Sequence, residues 1–581
     1  MMPYSGFEFD PASNRLKAEL DFLEGETDMI HPEVDPQNPY QTPHTGFFER
    51  TVQVDGKRMP YTIYIPDGFP PYSDGIFLFV PAGDKARTYL EKTGWDKIAD
   101  RECVAVVAME CQMDSWQKWE LEEALAYARA VFMIQSQRDL CSINECGFYA
   151  MGFEDAAEIT AAFTMLYSSV FAGSAICGNM RLPEELIQII GDLPSDGDPD
   201  VLKGEVAIST WLISDEKQLL PYFCKACDVD DNPLRSAHAD VYRQKWSSYL
   251  PFTNEQRIAE VRYSTMQDIS GLGYTELVKE MLDFVRRFKK FAGNHNRNLR
   301  YTQTAESIGL KRYDADIKGL KRYWYVFEPG SYKKGENKKY PVVFGMHGIC
   351  TSNEFFATNS EWHRVAEARD FFVVYPIGYM QSFGGRMAPT PAWQGQDFQM
   401  DNGVDEAAYF NYMIENMKTR YPIDEERVYA TGHSNGSAMT QMLIRTIPKC
   451  FAAFGPVGYT DGDLKEGITA PGFLHHTPCP TWLIKGELDI GCAGALLEGN
   501  ANVNMLRHLC ALNGAVYEEG VRYKNKPFEH TVFYDDNHVP MVRYSNVLGM
   551  PHATTPEISW MLWDEFFCRF RRKTDGTVVY E

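Results

Sequence analysis

The sequence predicts an α/β chain of two tandem domains, each a mostly parallel sheet flanked by helices. Its 581 residues exceed the roughly 150 residues of a typical domain several times over. Apolar strand-like runs alternate with longer helix-like runs through both halves, which is typical of parallel sheets covered by helices. The most informative observation is internal similarity, because segments of the first half recur in the second half in one order.

The recurring segments are strand-like runs together with the glycines that follow them. Six pairs match in one order: 61–66 with 324–329, 76–83 with 341–348, 104–107 with 372–375, 143–152 with 423–432, 210–213 with 481–484, and 261–264 with 542–545. Such an ordered set indicates that one α/β unit occurs twice.

Domain boundaries follow from this alignment. We predict an N-terminal arm over residues 1–43, which has no counterpart in the repeat and carries four prolines between positions 32 and 43. A first domain is predicted over 44–292 and a second over 300–581. The polar residues 293–298 between them are typical of a linker.

Composition argues against several classes of partner. Lys and Arg total 57 against 80 for Asp and Glu, and the formal net charge of −23 repels nucleic-acid phosphates and anionic membrane surfaces.

The first 25 residues carry charges and no apolar signal-peptide core, so we expect a cytoplasmic protein. Thirteen scattered cysteines fit reduced thiols better than a disulfide framework. No metal site is predicted, and a homo-oligomer stays an open alternative.

A candidate nucleophile lies in the second half. Gly432-His-Ser-Asn-Gly436 is a GxSxG motif, preceded by the strand-like run 427–431 and followed by the helix-like run 437–444. This is the context of a nucleophile on a tight strand-to-helix turn, where flanking side chains would clash. We therefore predict that Ser434 is the nucleophile.

A serine hydroxyl needs a histidine base and an orienting carboxylate, in the chain order Ser, acid, His for this type of fold. The strand-like run 481–485 ends in Gly486-Glu-Leu-Asp489, which places an acid at the ligand-collecting end of a strand. We predict Asp489 as the acid, with Glu487 as the alternative.

The base is predicted from the last strand-like run. Residues 542–545 lead to His552, just before the final helix-like segment. His552 is the predicted base, and His538 is the alternative.

The oxyanion hole requires two backbone N–H groups aimed at the carbonyl oxygen. Asn435, directly after the nucleophile, is one predicted donor. The other is predicted in the loop after strand-like run 342–344, with Ile349 favoured over Gly348 and Cys350. His347 is interpreted as a residue that fixes this loop.

Two further residues are candidates for the substrate pocket. Trp393 lies in a loop before the serine motif and could form an acyl or aromatic wall, although a packing role in the core is the alternative. His433 lies inside the motif itself.

The first half lacks this chemistry. At the three positions that match the predicted triad, the alignment places Glu154, Gln218 and Gly271. We predict a catalytically silent domain that keeps the scaffold.

Residues 321–570 resemble the polyhydroxybutyrate depolymerase and feruloyl esterase group of α/β-hydrolases. The motifs that carry the resemblance are Pro341-Val-Val-Phe-Gly-Met-His-Gly348, Trp362, Ala366-Glu-Ala-Arg-Asp-Phe-Phe-Val-Val-Tyr-Pro376, Val404-Asp405 and 421–436. The resemblance implies two tandem α/β-hydrolase-like domains, with a Ser434, Asp489, His552 triad in the second.

The predicted function is a serine carboxylic-ester hydrolase that acts on a small or aromatic, feruloyl-like acyl ester through an acyl-enzyme. No cofactor is required, and the expected partner is a small-molecule ester. A peptidase or amidase and an acyltransferase of the same fold are alternatives. A non-enzymatic binding protein is the hypothesis from a different class.

Overall fold

A computed structural model describes residues 31–136, 138–195, 198–245, 258–291, 299–383, 387–394, 403–460, 476–489, 494 and 496–581. Within these ranges the chain divides into two compact units. Unit 1 contains the described residues of Gln41–Thr302, together with 31–33 and Ser382–Pro389. Unit 2 contains the described residues of Val34–Tyr40, Gln303–Gln381 and Thr390–Glu581. Residues 1–30 of the predicted arm and the predicted linker 293–298 lie outside the described residues.

Two short segments are assigned differently from what sequence order suggests. Val34–Tyr40, from the predicted arm, belongs to unit 2. Ser382–Pro389, from the predicted second domain, belongs to unit 1, where the Ala388 N–H donates to the Arg138 carbonyl at 2.9 Å.

Unit 1 consists of strands and helices in alternation. Its strands are β1 (Gly46–Val54), β2 (Lys57–Ile65), β3 (Ser73–Phe79), β4 (Ala105–Met109), β5 (Ile143–Phe153), β6 (Phe171–Cys177), β7 (Pro194–Ser195), β8 (Asp198–Leu202), β9 (Ser209–Ile213), β10 (Leu234–Arg235), β11 (Asp240–Arg243), β12 (Glu260–Ser264), β13 (Phe288–Lys290) and β14 (Leu299–Tyr301). Its α-helices are α1 (Ala86–Thr93), α2 (Trp95–Glu102), α3 (Leu121–Ser136), α4 (Ala157–Leu166), α5 (Glu184–Asp192), α6 (Leu220–Ala226) and α7 (Tyr274–Val285).

Unit 2 repeats this alternation. Its strands are β15 (Lys311–Ile317), β16 (Leu320–Phe327), β17 (Tyr340–Met346), β18 (Phe372–Pro376), β19 (Tyr379–Gln381), β20 (Thr390–Ala392), β21 (Ile423–His433), β22 (Ala453–Val457), β23 (Thr481–Gly486), β24 (Val521–Asn525), β25 (Phe528–Phe533), β26 (Val542–Val547), β27 (Phe570–Arg572) and β28 (Val578–Tyr580). Its α-helices are α8 (Asn353–Ser360), α9 (Trp362–Arg369), α10 (Glu406–Arg420), α11 (Asn435–Thr446), α12 (Ala501–Leu512) and α13 (Pro556–Glu565).

Each unit is built on one mixed sheet, with ten strands among the described residues. The order is β1-β2-β4-β3-β5-β6-β9-β12-β11-β10 in unit 1 and β15-β16-β18-β17-β21-β22-β23-β26-β25-β24 in unit 2. In both sheets the six central strands run parallel and the outer pairs antiparallel. The predicted fold class, two α/β-hydrolase-like domains, is confirmed.

Burial follows the position of a strand in the sheet. In unit 2, β17, β18, β22 and β23 are buried at every position, whereas the edge strand β24 is exposed at every position. Central parallel strands covered by helices on both faces read as continuous apolar runs, which explains why the sequence marks them so clearly. Among the described residues, no helix combines the length and apolar character that crossing a bilayer requires.

The alignment of one strand pair needs a correction. In the sheets, Phe79 pairs with Gly152 and Met346 pairs with Gly432. Counting onward from these pairs, Ala82 matches Ile349, whereas the sequence alignment of 76–83 with 341–348 places Gly83 opposite Gly348. The alignment of this pair is therefore shifted by two residues, because the loop glycines do not occupy equivalent positions.

Candidate active site

Ser434 lies at a sharp turn between β21 and α11. Its backbone angles are φ 58° and ψ −118°, and a positive φ is uncommon for a residue with a side chain. Neighbouring glycines make the turn feasible: a Cβ on Gly432 would clash with the Gly436 carbonyl, and a Cβ on Gly436 would lie 2.6 Å from the His347 carbonyl oxygen. The strained turn holds Ser434 at the end of a central strand.

The three predicted triad residues meet in one chain of hydrogen bonds. His552 Nε2 lies 2.8 Å from Ser434 Oγ, and His552 Nδ1 lies 2.5 Å from Asp489 Oδ1. The Asp489 side chain is fully buried and the imidazole is 24% exposed. A buried carboxylate beside Nδ1 selects the tautomer in which Nε2 accepts the hydroxyl proton.

The loops that carry Asp489 and His552 are hydrogen-bonded to each other. The N–H groups of Glu487 and Leu488 donate to the Val547 and Met550 carbonyls at 2.9 and 3.0 Å. Gly486 permits this approach, since a Cβ there would clash with the Met550 carbonyl. These contacts connect the segment before Asp489 to the segment before His552, so both side chains are placed by parallel strands β23 and β26.

The alternative acid and base lie elsewhere. Glu487 Oε2 accepts the Gly549 N–H at 2.8 Å and is solvent-exposed. His538 is exposed in a surface loop, where its N–H donates to the Asp535 carbonyl. The geometry thus favours Asp489 and His552.

His433 lies against the imidazole of His552, with ring centroids 4.7 Å apart. Burial, followed by the neighbouring His552, holds the pKa of His433 well below its usual range. A neutral imidazole is therefore expected at this position at neutral pH. Within the described ranges, no group of three or more His, Cys, Asp or Glu side chains is arranged to hold a metal ion.

The predicted oxyanion loop passes directly over the serine. A Cβ built on Gly348 would lie 3.3 Å from Ser434 Cβ. The Cys350 N–H is already engaged with the Pro391 carbonyl at 3.1 Å, which removes that candidate donor. Asn435 is the first residue of α11, so its N–H has no acceptor within the helix. Asn435 and Ile349 therefore stay the predicted oxyanion donors.

His347 fixes this loop, in agreement with the sequence interpretation. Its Nε2 accepts the Gly378 N–H at 2.9 Å, so Nδ1 carries the proton and donates to the Gly348 carbonyl at 2.7 Å. Burial lowers the pKa of His347 to about 4, which keeps the imidazole neutral and this pattern intact.

Trp393 is a packing residue at the base of the loop. It is fully buried, and its indole N–H donates to the His347 carbonyl at 2.9 Å. The Asn435 side chain clamps its backbone, accepting the Trp393 N–H at 2.6 Å and donating to the Trp393 carbonyl at 3.2 Å. Sequence reasoning missed this second role of Asn435, which depends on a contact 42 residues away.

Unit 1 keeps the turn but closes the equivalent site. Glu154 follows β5 with φ 54°, close to the φ of 58° at Ser434. The Asp155 carboxylate accepts the Ala82 N–H at 3.0 Å and the Trp116 N–H at 3.1 Å. Ala82 matches Ile349 in sheet register. The Ala82 N–H, which corresponds to the predicted oxyanion donor, is therefore already hydrogen-bonded to the Asp155 carboxylate. Gln218 is likewise engaged, with the Leu182 N–H and carbonyl.

The fold is that of the α/β-hydrolases, and the arrangement around Ser434 is typical of them. Residues 325–476 match the family model described as Esterase PHB depolymerase. The predicted resemblance of the second half to the polyhydroxybutyrate depolymerase and feruloyl esterase group is confirmed.

Individual relatives cover part of the chain. Poly(3-hydroxyalkanoate) depolymerase C of Paucimonas lemoignei is 33% identical over 117 residues, 20% of this chain and 27% of that protein. The bifunctional acetylxylan esterase/xylanase XynS20E of Neocallimastix patriciarum is 28% identical over 138 residues, 24% of this chain and 18% of that protein. Feruloyl esterase B of Talaromyces stipitatus is 23% identical over 167 residues, 26% of this chain and 43% of that protein. The chain thus spans less than half the length of each of these relatives.

Proposed function

We propose that this chain is a serine carboxylic-ester hydrolase that acts through an acyl-enzyme intermediate. The observation that carries the proposal is the Ser434–His552–Asp489 chain of hydrogen bonds, at 2.8 and 2.5 Å, on a left-handed turn. The relatives named as acetylxylan esterase, feruloyl esterase and poly(3-hydroxyalkanoate) depolymerase support this reaction class.

The proposed mechanism uses each of these residues. Ser434 Oγ attacks the ester carbonyl while His552 Nε2 takes its proton. Asp489 holds the imidazole and stabilises its protonated form. The backbone N–H groups of Asn435 and Ile349 stabilise the oxyanion. His552 then returns the proton to the leaving alcohol, and water releases the acyl group by the same steps in reverse.

A small or aromatic acyl group is the proposed substrate feature. Support comes from the relatives named for acetyl and feruloyl esters. Trp393 does not form the acyl wall in this proposal, because it is fully buried beneath the loop.

Residues 44–292 are proposed to form a catalytically silent domain, and 300–581 the catalytic one. The closed oxyanion position at Asp155 supports the first statement, together with Glu154 in place of a serine.

The experiment is hydrolysis of p-nitrophenyl and hydroxycinnamoyl esters of increasing acyl size. Wild type is compared with Ser434→Ala and His552→Ala, and with His538→Ala as the matched control. We expect turnover of at least one ester, a loss of about 10⁴-fold or more in both site variants, and wild-type rates in the control. Equal activity of Ser434→Ala and wild type would contradict the proposal. Reaction of Ser434 with a fluorophosphonate without turnover of any ester would favour a peptidase, amidase or acyltransferase.

A further inference from the structure

A buried ion pair in unit 2 takes no part in the proposed chemistry. Arg322 of β16 and Glu406, the first residue of α10, have side chains 1% and 3% exposed and lie 2.9 Å apart. Removing two charges from water is costly, and a protein with apolar residues of similar volume in place of a buried ion pair is often equally stable or more stable. Stability alone therefore does not account for this pair.

The surroundings keep the Arg322 guanidinium in one place. It lies 3.8 Å above the Tyr409 ring. The Tyr40 hydroxyl is buried beside the guanidinium, and the Tyr40 ring packs edge-on against Tyr323 with centroids 4.9 Å apart. A planar group held in this way directs its N–H donors along fixed lines.

One of those donors reaches the segment that supports the oxyanion loop. Arg322 Nη2 donates to both Glu406 and the Ile377 carbonyl, each at 2.9 Å. The next residue, Gly378, donates its N–H to His347 Nε2 at 2.9 Å. The guanidinium and the imidazole thus hold adjacent backbone groups of one short segment.

The network ends at the predicted oxyanion donor. His347 Nδ1 donates to the Gly348 carbonyl at 2.7 Å, and Thr351 Oγ1 donates to the same oxygen at 2.8 Å. The Gly348 carbonyl and the Ile349 N–H belong to one planar peptide unit. Fixing the carbonyl therefore fixes the direction of the N–H.

We propose that Arg322, held by Glu406, is a positioning residue that aims the Ile349 N–H through Ile377, Gly378 and His347. This inference rests on the proposed function, since it concerns stabilisation of the oxyanion in that reaction. It predicts an effect on turnover that is separable from substrate binding and from folding.

The test compares wild type with the double variant Arg322→Met/Glu406→Leu, which removes both charges together and leaves neither unpaired. The control is Arg369→Met/Asp564→Leu, which removes the half-exposed pair of unit 2 with contacts of 2.8 and 3.0 Å. For each protein, kcat and KM are measured on the best ester of the panel, and melting temperature is recorded. Rates are expressed per Ser434 titrated with a fluorophosphonate, so that unfolded molecules do not count.

In the double variant, we expect kcat per titrated serine to fall about 10- to 100-fold, less than the loss of a whole oxyanion donor, with KM close to wild type. The control should keep the wild-type kcat. Arg322→Lys is the second variant, because it keeps the charge but not the planar fork, and a smaller fall in kcat is expected. Wild-type kcat per titrated serine in both Arg322 variants would overturn the inference. A wild type that neither labels nor hydrolyses esters would overturn the proposed function itself.

Discussion

Asp489 and Glu487 lie two residues apart in the chain, yet their side chains make different contacts. Asp489 Oδ1 reaches His552 Nδ1 at 2.5 Å, whereas Glu487 accepts a backbone N–H from Gly549. Asp489→Asn should lower kcat about 10⁴-fold, because the amide favours the wrong imidazole tautomer. Glu487→Gln should stay near wild type. Comparing kcat of the two variants on one ester checks this, and equal losses would contradict the assignment.

The proposed triad could be predicted from sequence because each member lies within five residues after the end of a strand. Ser434, Asp489 and His552 come after β21, β23 and β26, which are neighbours or near neighbours in the sheet. Parallel strands bring their carboxyl ends to one edge of the sheet. Residues that follow such strands in the sequence can therefore be predicted to lie close together. The clamp of Asn435 on Trp393 and the Arg322–Glu406 pair were not predictable, because they join segments whose proximity depends on tertiary packing.

At the scale of the element, the serine turn depends on close backbone approach. A Cβ on Gly432 would meet the Gly436 carbonyl and lie 2.9 Å from Met346 Cβ. Gly432→Ala should lower the free energy of unfolding by about 2–3 kcal/mol, in the range of overpacking in a core. Gly271→Ala is the control, since a Cβ there meets nothing within 4 Å. Urea unfolding measures both, and a Gly432→Ala protein as stable as the control would contradict the packing argument.

Elements were easier to predict than their register. The buried runs of β17 and β3 were identifiable from apolar composition, but their glycine-rich loops suggested an alignment two residues away from the one set by pairing with β21 and β5. Register is determined by partners across the sheet and by which face is buried. A loop glycine carries little of that information.

At the scale of the whole molecule, unit 1 should not regain activity through one substitution. Glu154→Ser would place a hydroxyl on a left-handed turn, but Asp155 still engages the Ala82 N–H. No ester hydrolysis or fluorophosphonate labelling of unit 1 is expected for Glu154→Ser in a Ser434→Ala background. Labelling at position 154, detected by peptide mass spectrometry, would show that the first domain is not silent.

Stability should decline in mild acid, in part through His347. Burial lowers its pKa to about 4, against about 6.5 in the unfolded chain. Above pH 6.5 neither state binds the proton, so this group adds no pH dependence. Between pH 6.5 and 4 only the unfolded state binds it, which costs up to about 3 kcal/mol. His347→Gln should therefore show a shallower fall in urea midpoint from pH 7 to 4.5. A fall as steep as in wild type would exclude this contribution.

The central claim is that Ser434 is an activated nucleophile, and the most direct measurement is fluorophosphonate labelling of the folded chain followed by peptide mass spectrometry. The hydrogen bonds from Ser434 to His552 and from His552 to Asp489 predict one label, on Ser434, which is absent in Ser434→Ala and strongly slowed in His552→Ala. A folded wild type that remains unlabelled, or that carries its label on another residue, would contradict the account.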